Sequence, residues 1–213
     1  AVMAEIAKTL EPGGPAKTVE EEMDFGFWKD GLSRSSATEY NGLIDSPCYQ
    51  RGEMGCFSCH QLHQSKRDSR SRKDWANDQL RHAQDTDTAC RQCHEDARYA
   101  ASEHTHHAPG STGSGCYNCH MPHTSYGLMK AIRSHAITSP DVKSTIVTTR
   151  PNACNLCHLD KTLEWTAGHL SDWYGIAKPE LNGEQKKYSA AALDVLKGNA
   201  GLRALTAWNM GWK

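Results

Sequence analysis

The chain of 213 residues has few of the apolar side chains from which a globular domain usually builds its core. Hydrophobic residues make up 38% of the chain and aromatic residues 8%, and the mean hydropathy is -0.70. No apolar run is as long as a transmembrane helix. The formal net charge of -1 gives no general attraction to nucleic acid or to a membrane surface. We therefore expect a group other than the side chains to supply apolar area to the interior.

Cysteine and histidine are abundant instead, with 9 and 12 residues. Eight cysteines form four CxxCH motifs: CFSCH at 56–60, CRQCH at 90–94, CYNCH at 116–120 and CNLCH at 154–158. This spacing is typical of c-type haem attachment, in which two thiols form thioethers with the porphyrin and the histidine ligates the iron. A disulfide framework, a zinc site or a thioredoxin-like motif would not need a histidine after each of four pairs. The motifs predict four covalently bound haem c groups, with thioethers at Cys56, Cys59, Cys90, Cys93, Cys116, Cys119, Cys154 and Cys157 and proximal iron ligands at His60, His94, His120 and His158.

The other eight histidines exceed the four that the irons need as second axial ligands. An iron with protein ligands on both sides has no position for a substrate and transfers electrons. Because histidine is in surplus, the methionines near the motifs (Met54, Met121 and Met129) are predicted to be packing residues.

The spacing of some histidines indicates which of them cannot share an iron. His60 and His63 are three residues apart, so in a helical turn they lie on the same face, about 5–6 Å apart. Ligands on opposite sides of one iron cannot do this, so we expect His63 to serve a different haem from His60. His104 and His107 repeat the spacing, and one turn there is expected to present ligands to two haems. Both features would bring haems close together.

The remaining histidines are less distinctive. We expect His135, which is isolated before a proline turn, to be a ligand. His123 follows His120 by three residues, and it is either a ligand or a polar neighbour of a propionate. His82 and His106 are expected to face solvent or propionates, and His169, on a helix between two tryptophans, is expected to be structural.

From about residue 35 onward, the chain resembles a known family. The resemblance rests on EYNGLIDSPCYQRGEMGCFSCHQLH, HTHHAPGSTGSGCYNCHMPHTSYG, RSHAITSP, PNACNLCHLDKTLEW and RALTAWNMGW. These segments are similar to the outer-surface tetrahaem c-type cytochromes of metal-reducing bacteria, which polymerise into extracellular cytochrome nanowires with a continuous chain of haems. The resemblance implies that His63, His104, His107 and His135 are the distal ligands. It also implies that one distal histidine can come from a neighbouring subunit.

The chain divides into three predicted parts. Residues 1–47 are predicted to be an extended N-terminal arm, either a disordered tail or a segment that wraps an adjacent subunit with Phe25, Phe27 and Trp28. Residues 48–160 form the tetrahaem-binding region. Residues 161–213 form a small helical C-terminal region. The predicted fold class is mostly irregular with short α-helices, a haem-packed multihaem cytochrome c fold with little or no β-sheet.

Apolar periodicity predicts three helices in the C-terminal region. The first starts near Leu163 and ends at Gly175, and the second runs from near Tyr188 to Gly198. A third, shorter helix contains Leu202, Leu205 and Trp208. They are expected to form a cap or a subunit contact.

Two further features have alternative interpretations. The basic run KRDSRSRKD at 66–74 is predicted to be a solvated loop, which would also offset propionate charge. Cys48 has no partner among the other cysteines. It is either a free thiol, available for an intermolecular link, or, as we favour, a small buried apolar residue.

These features lead to a functional hypothesis. In bacteria, haem is attached to CxxCH outside the cytoplasm, so we expect an exported protein at the outer cell surface, or alternatively in the periplasm. The sequence contains no secretory leader, which would make it the mature form. We expect an electron-transfer protein, not an enzyme, acting as the subunit of a homopolymeric filament that serves redox partner proteins and extracellular acceptors. A soluble periplasmic shuttle and a haem reductase are the alternatives.

Overall fold

The structure, a computed structural model, describes residues 25–34, 38–81, 84–127 and 130–211, together with Thr18 and Glu21. It is mostly helical and irregular, with one two-stranded sheet. The secondary structure thus agrees with the predicted short helices and small amount of β-sheet. Within the described ranges no helix has the length and apolarity needed to cross a bilayer. The α-helices that lie wholly within the described residues are α1 Glu39–Asp45, α2 Pro47–Gln50, α3 Cys56–Cys59, α4 Arg72–Asn77, α5 Thr88–Arg91, α6 Ser102–Thr105, α7 Cys116–His120, α8 Val142–Thr148, α9 Leu163–Tyr174, α10 Gly183–Lys187, α11 Ala190–Lys197 and α12 Ala200–Met210; 3-10 turns span Ala97–Ala100, Thr112–Ser114 and Cys154–Leu156.

The C-terminal helices follow the predicted periodicity. The side-chain hydroxyl of Thr162 accepts from Trp165 N at the start of α9, and Gly175, at φ +67°, ends that helix in the left-handed region, where glycine is favoured. Helix α11 starts later than predicted, because Ser189 caps its N-terminus and leaves Tyr188 outside it. The third predicted helix is α12, in which Leu205 is fully buried.

The sheet is an antiparallel hairpin of β1 His123–Gly127 and β2 Lys130–Arg133. Tyr126 pairs with Ala131, and the register is irregular between His123 and Ser125. Helix α12 packs on this hairpin, with the Tyr126 and Trp208 rings 6.3 Å apart. The hairpin therefore joins the C-terminal helices to the region of the motifs.

The apolar core is small and divided. One cluster lies between α8, α9 and α11, and a second includes Trp28 and Leu202. None of the residues in either cluster is a motif cysteine or histidine. The first cluster consists of Val142, Leu163, Ala167, Leu170, Leu181 and Ala190, and the second of Trp28, Leu32, Ala136 and Leu202.

The described part of the predicted arm packs against the same chain. Trp28 is buried and donates from Nε1 to Thr124 O at 3.2 Å. The ion pair between Arg150 Nε and Asp30 Oδ2, at 3.0 Å, holds the same segment. Phe25 stays exposed. Residues 1–17, 19–20, 22–24 and 35–37 of the predicted arm lie outside the described residues, so the division of the chain into three parts stays a prediction.

Candidate functional site

All four CxxCH motifs contain a local helical turn. The histidine N–H donates to the carbonyl of the first cysteine at 2.8 Å in the first motif, 3.0 Å in the second and 2.9 Å in the fourth. The third motif is helix α7 itself. This turn brings the two cysteines and the histidine of each motif close together along the backbone. This is the arrangement that attachment of a planar group at two sulfurs, with a metal under the histidine, requires.

All nine cysteines are described, and all are free thiols. The two cysteines within each motif are therefore not joined by a disulfide. Burial raises the pKa of the Cys119 thiol, and burial raises that of Cys154 to about 12, so both are protonated at neutral pH. Among the described residues no group of three or more His, Cys, Asp or Glu side chains is arranged to hold a metal ion.

Three motif histidines each face a second histidine across a gap. The ring centres of His60 and His135 are 6.2 Å apart, with 20° between the planes. Those of His104 and His120 are 6.3 Å apart and inclined by only 7°. The third pair, His107 and His158, has ring centres 5.9 Å apart and an angle of 32°. In every pair one histidine belongs to a CxxCH motif and the other does not.

These separations match the space that one metal ion needs between two imidazoles. A divalent metal ion binds an imidazole nitrogen at about 2.0 Å. The centre of a five-membered ring, with bonds of about 1.35 Å, lies roughly 1.15 Å behind that nitrogen. Two imidazoles on opposite sides of one ion therefore have ring centres about 6.3 Å apart. Direct stacking of two flat rings would bring them much closer, as for His106 on Trp173 at 4.0 Å.

The ring nitrogens of the paired histidines also suit ligation. His120 Nδ1 lies 3.0 Å from Thr138 O, and His107 Nδ1 lies 2.6 Å from Thr105 O. A carbonyl fixes the proton on Nδ1, which leaves the Nε2 lone pair for a metal. Burial lowers the pKa of His120, His135 and His158, so these rings are neutral at pH 7.

The segment after β2 brings the first and third motifs together. Arg133 Nη1 donates to Tyr117 O and Met121 O, both at 3.0 Å, and holds β2 to the end of α7. His135, two residues on, faces His60. Thr138 N then donates to His120 O at 3.2 Å. One short extended segment thus supplies a partner for the first motif and a support for the third.

Neighbouring motifs touch. Gln92 Nε2 donates to Ser58 O at 3.4 Å, which joins the second motif to the first. The backbone N–H of Cys116 donates to Asp87 Oδ1 at 2.8 Å, which joins the third motif to the residue that precedes helix α5 of the second. Groups attached at the cysteines of these motifs would therefore lie side by side.

One turn carries two of the partner histidines. His104 lies in α6, and His106, at φ +53°, reverses the backbone just before His107. Because of this reversal, His104 faces the third motif and His107 faces the fourth.

An aromatic group on α9 holds this turn. The predicted structural role of His169 between Trp165 and Trp173 is confirmed, but the contact of this group with the turn was not predicted. The Trp173 ring stacks on His106 at 4.0 Å and on His169 at 4.6 Å. Tyr174 Oη donates to His104 O at 2.5 Å. We call Trp173, Tyr174 and His169 the aromatic clamp. His106, expected to face solvent or a propionate, is instead a half-buried stacking partner of Trp173. The available signal was the adjacent pair Trp173 and Tyr174, four and five residues after His169.

His63 and His94 are the predicted ligands that the structure leaves apart. Both are exposed, and among the described residues neither has an imidazole opposite it. The ring of His94 lies edge-on to that of Tyr99, with ring centres 5.2 Å apart.

Other candidate residues lie elsewhere. Burial and Arg133 lower the pKa of His123, at the start of β1, to about 4. Cys48 is half-buried. His82 and Met129 lie outside the described residues.

Comparison with protein families, with curated proteins and with solved structures gives no match to this chain. The donor set itself fits haem c, because it combines two cysteines on one turn with two imidazoles at the separation of axial ligands.

Proposed function

We propose that this chain is a tetrahaem c-type cytochrome that transfers electrons. The observation that carries the proposal is the set of three gapped imidazole pairs, each formed by one CxxCH histidine and one histidine from elsewhere. The four motifs would hold haem through their cysteine pairs. The axial ligand pairs would be His60 with His135, His120 with His104, and His158 with His107, while His94 would be the proximal ligand of the fourth haem.

Haem c bound in this way would supply a one-electron iron couple. The chain's own residues would determine what that couple does. Two imidazoles at each iron would exclude substrates and favour a lower potential than a His/Met pair. The carbonyls of Thr138 and Thr105 would keep the ligands in the required tautomer. Contact between neighbouring motifs would keep the four centres close enough for electrons to pass between them.

The small core supports the same proposal. The two apolar clusters described above lie outside the motifs, and the motif cysteines themselves are half-buried or exposed. Four attached porphyrins would add the apolar area that the side chains lack. We therefore expect the chain without haem to lose much of its order around the motifs.

The ligand assignment is tested by electron paramagnetic resonance of the oxidised protein. Replacing His135, His104 or His107 by alanine should convert one haem from low spin to high spin in each variant. His123→Ala is the control variant and should retain the wild-type spectrum. A control variant that gains a high-spin haem, while His104→Ala or His107→Ala does not, would contradict the assignment.

We further propose that the fourth haem is completed between subunits. His94 and His63 are both exposed and unmatched within the described residues, so His63 of one copy can ligate the haem at His94 of the next. A head-to-tail contact of this kind forms a ring only if the rotation between neighbouring copies closes. Otherwise the contact repeats and produces an open filament. The protein would then be an extracellular electron conductor to external acceptors; a soluble periplasmic shuttle is the alternative.

His82 is the competing ligand within the chain, and the two assignments have different outcomes. In the filament account, His63→Ala abolishes filaments and leaves one haem high-spin, whereas His82→Ala has no effect on either. If His82→Ala creates the high-spin haem and His63→Ala does not, the fourth site is complete within one subunit. Electron microscopy of the native protein would then be expected to show small separate particles.

A further inference from the structure

A closed loop follows the first motif. The bridge between His60 and Leu80 joins its two ends. Gln61 N donates to Gln79 O at 2.8 Å, and Arg81 N donates to Cys59 O at 2.9 Å. Residues 62–78 thus form a loop with a fixed base, which we call the basic loop. His63 lies at its beginning.

The basic loop is held in shape by Arg70. Its guanidinium contacts Asp68 Oδ2 at 2.7 Å and Asp78 Oδ2 at 3.2 Å, and it also donates to Asp78 O at 2.9 Å. Gln64 Nε2 donates to Arg70 O at 2.7 Å. The charge of Arg70 is therefore used inside the loop, and the loop is ordered before it meets any partner.

The other cations of the basic loop face outward. All four are exposed, and none forms an ion pair with a described residue. From 62 to 78 the basic loop has five Lys or Arg residues and three Asp residues, a formal charge of +2. The outward cations are Lys66, Arg67, Arg72 and Lys73.

The segment around His94 has the opposite charge. From 85 to 103 it has five Asp or Glu residues and two Arg residues, a formal charge of -3. Glu95 and Glu103 are exposed and have no ion pair with a described residue. Asp96 pairs with Arg98 at 3.2 Å, and both side chains are more than half exposed. We call residues 85–103 the acidic segment.

We propose that the basic loop of one copy of this chain docks on the acidic segment of a second copy. The two surfaces are opposite in charge, and each carries one of the two histidines that have no imidazole opposite them among the described residues. Contact between two basic loops, or between two acidic segments, would be repulsive. The charges thus select a head-to-tail contact that brings His63 to His94. The inference rests on the proposed function, but it concerns docking and not ligation.

Charge reversal tests the docking in the holoprotein. Lys66→Glu with Arg67→Glu reverses the basic loop, and Glu95→Lys with Glu103→Lys reverses the acidic segment. We expect each double variant to raise the protein concentration needed for filament assembly by about tenfold, and the combined quadruple variant to recover most of that loss. Added salt should weaken assembly of the wild type and of the quadruple variant, because it screens both sets of contacts. Lys186→Glu with Lys187→Glu, an exposed cationic pair on α10, is the matched control and should assemble like the wild type.

The outcomes separate docking from ligation. Each variant keeps all eight axial histidines, so the three haems completed within the chain should stay low-spin and report correct folding. If both double variants assemble normally while His63→Ala does not, the proposed ligation between subunits is supported and the proposed electrostatic docking is wrong. If each double variant assembles less well than the wild type and the quadruple variant assembles less well again, the two surfaces do not meet, and the proposal is overturned. If His63→Ala itself leaves assembly unchanged, the proposed intersubunit ligation has failed instead.

Discussion

Trp173→Ala is expected to loosen the turn that carries His104 and His107 without altering either histidine. Trp173 is 38% exposed, so roughly 120 Å² of a tryptophan surface of about 200 Å² is covered. At about 25 cal/mol per Å², and reduced for burial that persists in the unfolded chain, this contact contributes about 2 kcal/mol. If the whole of this stabilisation is lost from the turn, the population of the state in which the turn is detached rises by about thirty-fold.

Carbon monoxide binding to the reduced protein measures this detachment. Carbon monoxide reaches ferrous haem only when a distal histidine has left, so its apparent affinity and rate follow the detached fraction. Two of the four haems should therefore bind it about thirty-fold more readily in the variant. The other two should be unchanged, because the clamp contacts neither His135 nor His63.

Trp208→Ala is the matched control. Trp208 is 37% exposed, a value almost equal to that of Trp173, but it packs on Tyr126 in the hairpin. We expect a similar loss of stability with no change in carbon monoxide binding. Equal acceleration in both variants would indicate general loosening, and no acceleration in Trp173→Ala would refute the role of the clamp.

Three further predictions concern stability. Burial raises the pKa of the Asp194 carboxyl to about 6, so the folded state keeps a proton that the unfolded chain releases near pH 4, and stability falls as pH rises through this window. Asp194→Asn should remove this pH dependence and raise the free energy of unfolding by about 2 to 3 kcal/mol at pH 7, with no gain near pH 3. Denaturant titrations at the two pH values measure this difference. Equal gains at both would contradict the prediction. Asn155 Oδ1 accepts from the buried hydroxyl of Thr166 at 2.8 Å, so Asn155→Ala should cost about 1 to 3 kcal/mol, and a loss under 0.5 kcal/mol would mean that the bond contributes nothing. Leu205→Ala, at a fully buried site, should cost about 2 to 5 kcal/mol in the same titration, whereas Leu196→Ala, at a position 74% exposed, should cost less than about 0.5.

The C-terminal helices could be predicted from the residues within and next to each helix. Helix α9 combines apolar residues at helical spacing with a Thr162 cap and Gly175 at its end, and all of these are properties of neighbouring residues. The start of α11 was placed too early because the Ser189 cap was not recognised. The hairpin was not foreseen, since its strands are short and HTSYG and KAIR have little alternation of polar and apolar residues.

Spacing also predicts the thioether cysteines, because CxxCH acts within one turn. It does not predict which histidines face each other. His135 meets His60 across 75 residues of sequence, through contacts that Arg133 makes with α7. The contact of the aromatic clamp with the turn was missed for the same reason, since His106 and Trp173 come together only in the folded chain.

The most direct test is the mass of the intact chain under denaturing conditions, after production in a host that matures c-type cytochromes. Thioether bonds survive denaturation, so the proposal predicts the mass of the polypeptide plus four haems, with Cys48 alone reacting with a thiol reagent. The polypeptide mass alone, with nine reactive thiols or with disulfides, would contradict it.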